Sequence, residues 1–150
     1  MGASGGGNAV RKAGYELYDH TADLGIRVHA ATLPELVWPA TQALYAAIGE
    51  LRPRDAEAES RPIDLADEDA ALLLRDYLAQ LLRWFEIEKR IAVEADIREF
   101  TPQRLAGRVR VAPVDLDASL LSREVKAVTY HALALRPIAG GFEFSVIVDI

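Results

Sequence analysis

The sequence contains no cysteine, and this absence excludes several kinds of chemistry. Without a thiol there is no disulfide, no thiolate metal site and no cysteine nucleophile, so a bound metal would take oxygen or imidazole ligands. No apolar run approaches the roughly 18 residues of a membrane-spanning helix, and the glycine-rich N-terminus lacks the hydrophobic segment of a signal peptide. We therefore predict a cytoplasmic protein that does not associate with membranes.

Positive charge is also in short supply. The chain has 17 Lys and Arg residues against 23 Asp and Glu residues, a formal net charge of −6 at pH 7. A protein that binds a nucleic-acid backbone by itself neutralises phosphates with an excess of cationic side chains. Direct binding of RNA is therefore disfavoured, and any role with RNA would be indirect.

The chain has the length of one domain, because 150 residues bury a sizeable core but are too few for two comfortable ones. Residues 1–13 are rich in glycine and carry no periodic apolar pattern. We predict a flexible tail there. Residues 14–150 are predicted to form the folded domain.

Two helices are predicted from apolar residues at three- and four-residue spacing. The first follows the capping box that Thr32 forms with Glu35, and Gly49 ends it. Pro39 lies inside this pattern and predicts a kink or a later start. The second is the strongest helix in the chain, is capped by Asp67 or Asp69, and buries a stripe of Leu74, Leu78, Leu81, Leu82 and Phe85.

Alternation of apolar and polar residues predicts about six or seven strands, two of which flank residues 19–25. The short segment 61–65 contains Pro62 and is predicted as an edge strand, because proline cannot donate to a ladder. The run 124–135 is predicted as one strand that pairs with 142–148 through a turn at Gly140 and Gly141. On a single strand, Lys126 and His131 would project from opposite faces. The order of elements indicates an α+β fold, with two main helices packed on a mostly antiparallel sheet.

The segment Asp19-His20-Thr21-Ala22-Asp23-Leu24-Gly25 is the main candidate for chemistry, because it concentrates two carboxylates, an imidazole and a hydroxyl. Asp23 has two interpretations: it closes a turn through its side chain, or it is a ligand of a hard cation. Asp149 and the terminal carboxylate of Ile150 would complete such a site if the last strand lies beside this segment. Spacing alone leaves both interpretations open, and Asp149 also reads as an ordinary charged residue.

The other polar candidates favour structural roles. Asp115 and Asp117 resemble a surface loop, and Arg104, Arg108 and Arg110 a solvated strand face. Lys126 reads first as a solvated strand residue, and His131 as a structural histidine.

Four ordered blocks give the chain a resemblance to a known family. The chain from Tyr15 to Ile150 resembles the archease family through the segment Asp19–Gly25, the helix ending in Trp84-Phe85-Glu86-Ile87-Glu88, the run Glu124-Val125-Lys126-Ala127-Val128-Thr129-Tyr130-His131, and the ending Val148-Asp149-Ile150. Pro39 in the first helix and Gln80, where an acidic residue is frequent, depart from the family pattern.

The resemblance implies an accessory protein and not an enzyme. Its partner would be the GTP-dependent RtcB-type RNA ligase of tRNA splicing, which joins RNA ends carrying 3′-phosphate or 2′,3′-cyclic phosphate, and RNA would be reached only through that ligase. The family promotes guanylylation and multiple turnover of the ligase. The resemblance implies Asp23, Asp149 and Ile150 as ligands of a divalent cation (Ca²⁺, Mg²⁺ or Mn²⁺), and Lys126 as the activating lysine.

The residues are compatible with two other functions. A stand-alone metal-dependent phosphohydrolase would use the same carboxylates to activate water. A chaperone-like binding module for an RNA-processing enzyme would need neither the metal nor Lys126.

Overall fold

The computed structural model describes residues 12–20 and 22–150, so most of the predicted tail lies outside the described residues. The elements are β1 (Gly14–His20), β2 (Asp23–Ala30), α1 (Leu33–Ile48), β3 (Gly49–Glu50), β4 (Glu59–Ala66), α2 (Ala70–Glu88), β5 (Arg90–Phe100), β6 (Arg104–Pro113), β7 (Leu120–Leu121), β8 (Ala127–Val128), β9 (Ala134–Ile138) and β10 (Gly141–Asp149). Across the described ranges, neither helix is long and apolar enough to cross a membrane.

The main sheet has the strand order β1-β2-β10-β8, with β9 also paired to β10. Its pairs are antiparallel, and β10 lies against β2 in a register that runs from Phe142 opposite Ala30 to Val148 opposite Leu24. The last strand therefore lies beside the strand that begins with Asp23, which is the arrangement that a joint site of Asp23 with Asp149 and Ile150 requires.

A second, three-stranded sheet has the order β4-β6-β5, and β3 pairs with β7 in a two-residue ladder. The edge position predicted for the strand with Pro62 is confirmed, because β6 is the one described strand with which β4 pairs. Proline fits there since it cannot donate a ladder hydrogen bond. The extra strands beyond the predicted six or seven include β3, β7 and β8, which have two residues each.

The predicted helix caps are confirmed. Thr32 caps α1, where its Oγ1 accepts the Glu35 N–H at 3.3 Å and donates to the Glu35 carboxylate at 2.7 Å. Asp69 caps α2 by accepting the Ala71 N–H at 2.7 Å. The helix α1 runs without a break through Pro39, so the later start was wrong.

The core lies between the helices and the two larger sheets, which confirms the single-domain α+β fold. Most of its members come from α1, α2, β2, β5, β6 and β10, and the largest fully buried side chains include Tyr77 and Phe144. Thr41 on α1 and Tyr77 on α2 join the helices through hydroxyl groups 2.9 Å apart, and Thr41 also donates to the Val37 carbonyl at 2.7 Å.

The prediction of one strand over 124–135 was wrong. Only β8 and β9 form strands in this run, and residues 129–133 leave the ladder, with Ala132 at a φ of 53°. Thr129 fixes the departure, since its N–H and its hydroxyl both donate to the Ile147 carbonyl at 2.9 Å. The β-branched composition favoured a strand, but tertiary hydrogen bonds decided the local structure.

Candidate functional site

Three parts of the chain meet at one end of the main sheet, and we call this end the acidic tip. They are the β1–β2 turn with Asp23, the end of β10 with Asp149 and Ile150, and the segment before β8 with Lys126. The segment Asp19–Gly25 was predicted to lie between two strands. Instead, Asp19 and His20 belong to β1, and Asp23 begins β2.

Asp23 and Asp149 lie on neighbouring strands. The ladder between β2 and β10 pairs Leu24 with Val148, and one step further along the same register places Asp149 opposite Asp23. Directly opposite residues of an antiparallel pair share a face, with Cβ atoms about 4.5–5.5 Å apart. Both carboxylates are half-buried, and neither forms an ion pair with a described residue.

Lys126 is tied to the same strand through its backbone. Its N–H donates to the Asp149 carbonyl at 2.7 Å, and Ala127 pairs with Asp149 in the ladder. The Lys126 side chain is exposed, which leaves the ammonium group accessible at the tip. Ile150 follows directly and is 37% exposed, so its main-chain oxygens are also at the tip.

Two histidines meet beside these residues. The ring centroids of His20 and His131 are 5.5 Å apart, with an angle of 66° between the rings. Nδ1 of His20 is buried and has no hydrogen-bond partner among the described residues. The prediction that Lys126 and His131 project from opposite faces of one strand does not apply, because residues 129–133 leave the ladder.

The residue types in the β1–β2 hairpin have a packing reason. Gly25 pairs with Tyr18, and a Cβ at Gly25 would collide with the Tyr18 ring. The Arg27 guanidinium lies 4.5 Å from that ring centroid and donates to Glu16 at 2.8 Å, a hydrogen bond that raises the pKa of Arg27. Glycine in this segment therefore makes room for an aromatic and cationic stack below the tip.

Arg75 and Tyr130 are functional candidates that sequence reasoning missed. Arg75 on α2 donates from Nε to the Val128 carbonyl at 3.0 Å, and its guanidinium lies 4.0 Å from the centroid of the Tyr130 ring. In the sequence Arg75 is one charged residue on the flank of a helix, and nothing there signals the contact with Val128, 53 positions away.

The remaining polar candidates lie elsewhere and have structural partners. Asp115 accepts the N–H groups of Asp117 and Ala118 and so forms a turn. On the strand face predicted to be solvated, Arg104 and Arg110 form ion pairs with carboxylates, including the pair of Arg104 with Asp64 at 3.0 Å. This hydrogen-bonded pair lowers the pKa of Asp64.

Metal-ligand geometry at the acidic tip depends on more than side chains. Within residues 12–20 and 22–150, no three side chains of His, Asp or Glu are grouped so that they could hold a metal ion. The two carboxylates and the main-chain oxygens of Ile150 are among the oxygen donors that the described residues provide there. The predicted metal ligands therefore stay a prediction.

The fold defines a single-domain α+β protein. At its acidic tip, the ends of a hairpin and of the last strand bring two carboxylates and a lysine together. Residues 15–150 match the model of the Archease protein family. The chain belongs to the archease family.

Individual relatives agree with this assignment. The chain is similar to the protein archease of Methanosarcina mazei (30% identity over 91% of this chain and 95% of that protein) and to that of Methanopyrus kandleri (30%, 91% and 99%). In fold it is similar to the solution structure of a Methanobacterium thermoautotrophicum protein (24% identity, TM-score 0.69, 91% of this chain and 99% of the other). It is also similar to the crystal structure of a Thermotoga maritima archease described as a possible chaperone (18%, 0.66, 90% and 96%).

Proposed function

We propose that this protein activates a GTP-dependent RtcB-type RNA ligase, promoting guanylylation and multiple turnover of the ligase in tRNA splicing or RNA repair. The acidic tip docks at the ligase active site, and RNA is contacted only by the ligase. The protein itself carries out no covalent step in this proposal.

The observation that carries the proposal is the convergence of Asp23, Asp149 and Lys126 at one end of the sheet. They come from three distant parts of the chain, yet Lys126 is bonded to the Asp149 backbone and Asp149 lies in register with Asp23. An exposed lysine beside two carboxylates that form no ion pair with the described residues does not serve the packing of the core. It suits a surface that acts on another molecule.

The donors at the tip suit a hard divalent cation, which would be held by Asp23, Asp149 and main-chain oxygens of Ile150. Like charges directly opposite on paired strands are destabilising, and a cation between them removes this cost. Mg²⁺ and Ca²⁺ prefer carboxylate and carbonyl oxygens, and Mg²⁺ usually keeps several waters, so few protein ligands suffice. A bound cation would supply positive charge for phosphate oxygens at the ligase site.

The negative balance of the chain fits an activator better than an RNA-binding protein. A ligase that binds RNA needs a basic surface, and an acidic accessory protein is steered toward it by complementary charge. We therefore expect the association to weaken as the salt concentration rises.

The experiment is a guanylylation assay of the RtcB-type ligase from the same organism, with GTP and a divalent cation. We expect faster formation of the covalent guanylyl-ligase with wild-type protein, and no acceleration with Asp23→Ala. Asp117→Ala is the matched control, because it removes an exposed loop aspartate away from the tip. An unaccelerated ligase with wild-type protein would sink the proposal, and turnover of a phosphoester by the protein alone would favour the phosphohydrolase.

A second candidate is a chaperone-like binding module, favoured by exposed apolar residues beside a cavity. A cavity of about 540 Å³ has a mixed lining, with apolar side chains such as Phe85 and Leu121 beside charged ones such as Glu86. The residues Ile87, Leu120 and Leu121 are exposed, and they line this cavity or lie next to lining residues in the chain. Exposed apolar patches often mark protein-binding sites. Substituting Leu120 and Leu121 by serine should reduce the soluble yield of a co-expressed ligase under this candidate, while Asp23→Ala should not.

A further inference from the structure

The segment that carries Tyr130 and His131 is an excursion from the edge of β10. Val128 pairs with Val148, and Ala134 pairs with Ser145. Two residues of β10 (146 and 147) therefore lie opposite five residues (129–133). We call residues 129–133 the excursion. It follows the two-residue strand β8 directly, and Lys126 immediately precedes β8.

The excursion follows a strand that is itself held by few hydrogen bonds, because β8 pairs with β10 over only two residues. Two further backbone hydrogen bonds join this part of the chain to β10. The Lys126 N–H donates to the Asp149 carbonyl at 2.7 Å, and the Thr129 N–H donates to the Ile147 carbonyl at 2.9 Å. In the main sheet β8 is the last strand of its path, so no further described strand pairs with its outer edge. Carbonyl groups on that edge need another donor when they are buried.

Arg75 supplies the donor from α2. Its Nε–H donates to the Val128 carbonyl, and the face of its guanidinium packs 4.0 Å from the centroid of the Tyr130 ring. The Asp76 carboxylate accepts from another nitrogen of the same group at 2.7 Å. Only a planar fork makes these three contacts at once, since an ammonium group lacks both the fixed donor geometry and the flat face.

We infer that Arg75 is the positioning residue of the acidic tip: it anchors β8 and the excursion to α2 and thereby sets the place of Lys126. Val128, whose carbonyl it binds, is two residues from Lys126, and Tyr130, which it stacks on, adjoins His131. The helix α2 packs its buried face into the hydrophobic core. A displacement of about 1 Å can reduce the effect of a positioned group strongly. We therefore expect activation by Lys126 to depend on this anchor. The effect of Arg75 on activation rests on the proposed function, whereas its anchoring of β8 and the excursion rests only on the contacts described above.

The anchoring is tested by amide hydrogen exchange of Arg75→Lys. This variant keeps the charge and loses the fork, so we expect the amides of Lys126 and Thr129 to exchange on the order of tenfold faster, while amides in the middle of β2 are unchanged. Tyr130→Phe keeps the ring face and should leave exchange at the wild-type rate.

Arg61→Lys is the matched control. Arg61 also packs on an aromatic ring, that of Trp84 at 5.1 Å, donates to the Glu88 carboxylate at 2.7 and 2.9 Å, and has a side chain 19% exposed against 17% for Arg75. It lies on β4, outside the acidic tip, so we expect its loss to leave the Lys126 and Thr129 amides unchanged. Equal exchange in wild type and Arg75→Lys, or the same acceleration in Arg61→Lys, would overturn the anchoring.

The positioning is tested by titrating each variant into the guanylylation assay. We expect Arg75→Lys to lower the maximal acceleration by roughly tenfold with a similar half-saturating concentration, because docking remains and Lys126 is displaced. Full acceleration despite faster exchange would overturn the positioning role. If wild-type protein does not accelerate the ligase, the proposed function fails and the positioning role fails with it, while the exchange experiment decides the anchoring separately.

Discussion

The backbone N–H of Lys126 donates a 2.7 Å hydrogen bond to the backbone carbonyl of Asp149. This bond joins a residue at the entry to β8 to a residue at the end of β10, the strand that lies beside Asp23. Because the bond uses backbone atoms, side-chain substitutions at Lys126 and Asp149 test function without removing it.

Substituting Asp149 by asparagine should separate charge from shape at the acidic tip. Without divalent cations we expect Asp149→Asn to be as stable as the wild type or more stable by about 0.2–1 kcal/mol, because like charges opposite each other are removed. With cation at about 100 times its dissociation constant, wild type should gain roughly 2.7 kcal/mol and the variant little. Thermal unfolding with and without Ca²⁺, Mg²⁺ and Mn²⁺ measures both effects. An equal cation-dependent gain in both proteins would remove Asp149 from the set of ligands.

Removing the Lys126 side chain should abolish activation without unfolding the protein. The side chain is exposed, so Lys126→Ala should change the free energy of unfolding by no more than about 0.5 kcal/mol. Ligase guanylylation should lose its acceleration, which a radiolabelled-GTP transfer assay measures. Lys12→Ala removes the same charge at the other end of β1 and should retain full acceleration. Loss of acceleration in both variants would show that net charge, and not Lys126, is what the ligase senses.

The hydroxyl pair between the helices predicts an asymmetry between two substitutions. Because the Thr41 hydroxyl donates to the Val37 carbonyl, the Tyr77 hydroxyl is the donor to Thr41. Tyr77→Phe leaves no buried donor unpaired and should lower the free energy of unfolding by about 1 kcal/mol. Thr41→Val leaves the buried Tyr77 O–H without its acceptor and should lower it by about 1–3 kcal/mol. Urea unfolding of both variants measures the difference. A larger cost for Tyr77→Phe would contradict this donor assignment.

The pair of Arg61 and Glu88 predicts a contribution to acid sensitivity. The hydrogen bonds from Arg61 hold the pKa of Glu88 below its ordinary value of 4.5. The folded state therefore holds fewer protons than the unfolded state near and below that value, and the contribution of Glu88 to stability is lost as the pH falls. Glu88→Gln should flatten the slope of unfolding free energy against pH below about pH 5. An unchanged slope in Glu88→Gln would contradict this contribution.

Local signals were sufficient for most of the elements. Thr32 and Asp69 act as caps through groups within three residues of themselves, and Leu74, Leu78 and Leu81 repeat at helical spacing, so their roles depend on nearby sequence. The placement of Asp149 beside Asp23 was a hypothesis about two chain ends that the strand pairing now supports. The family resemblance was needed to single out these residues from other acidic ones.

By itself, the sequence determined the α+β class, both helices with their caps, the edge position of the strand with Pro62, and the absence of thiol chemistry. The tertiary structure alone decided where the run 124–135 breaks, that His131 meets His20, and that Arg75 holds Val128 and Tyr130. The physical reason is the range of the interactions. Periodicity and capping act between residues a few positions apart, whereas the bonds of Thr129 to Ile147 and of Arg75 to Val128 exist only once sheet and helix have packed.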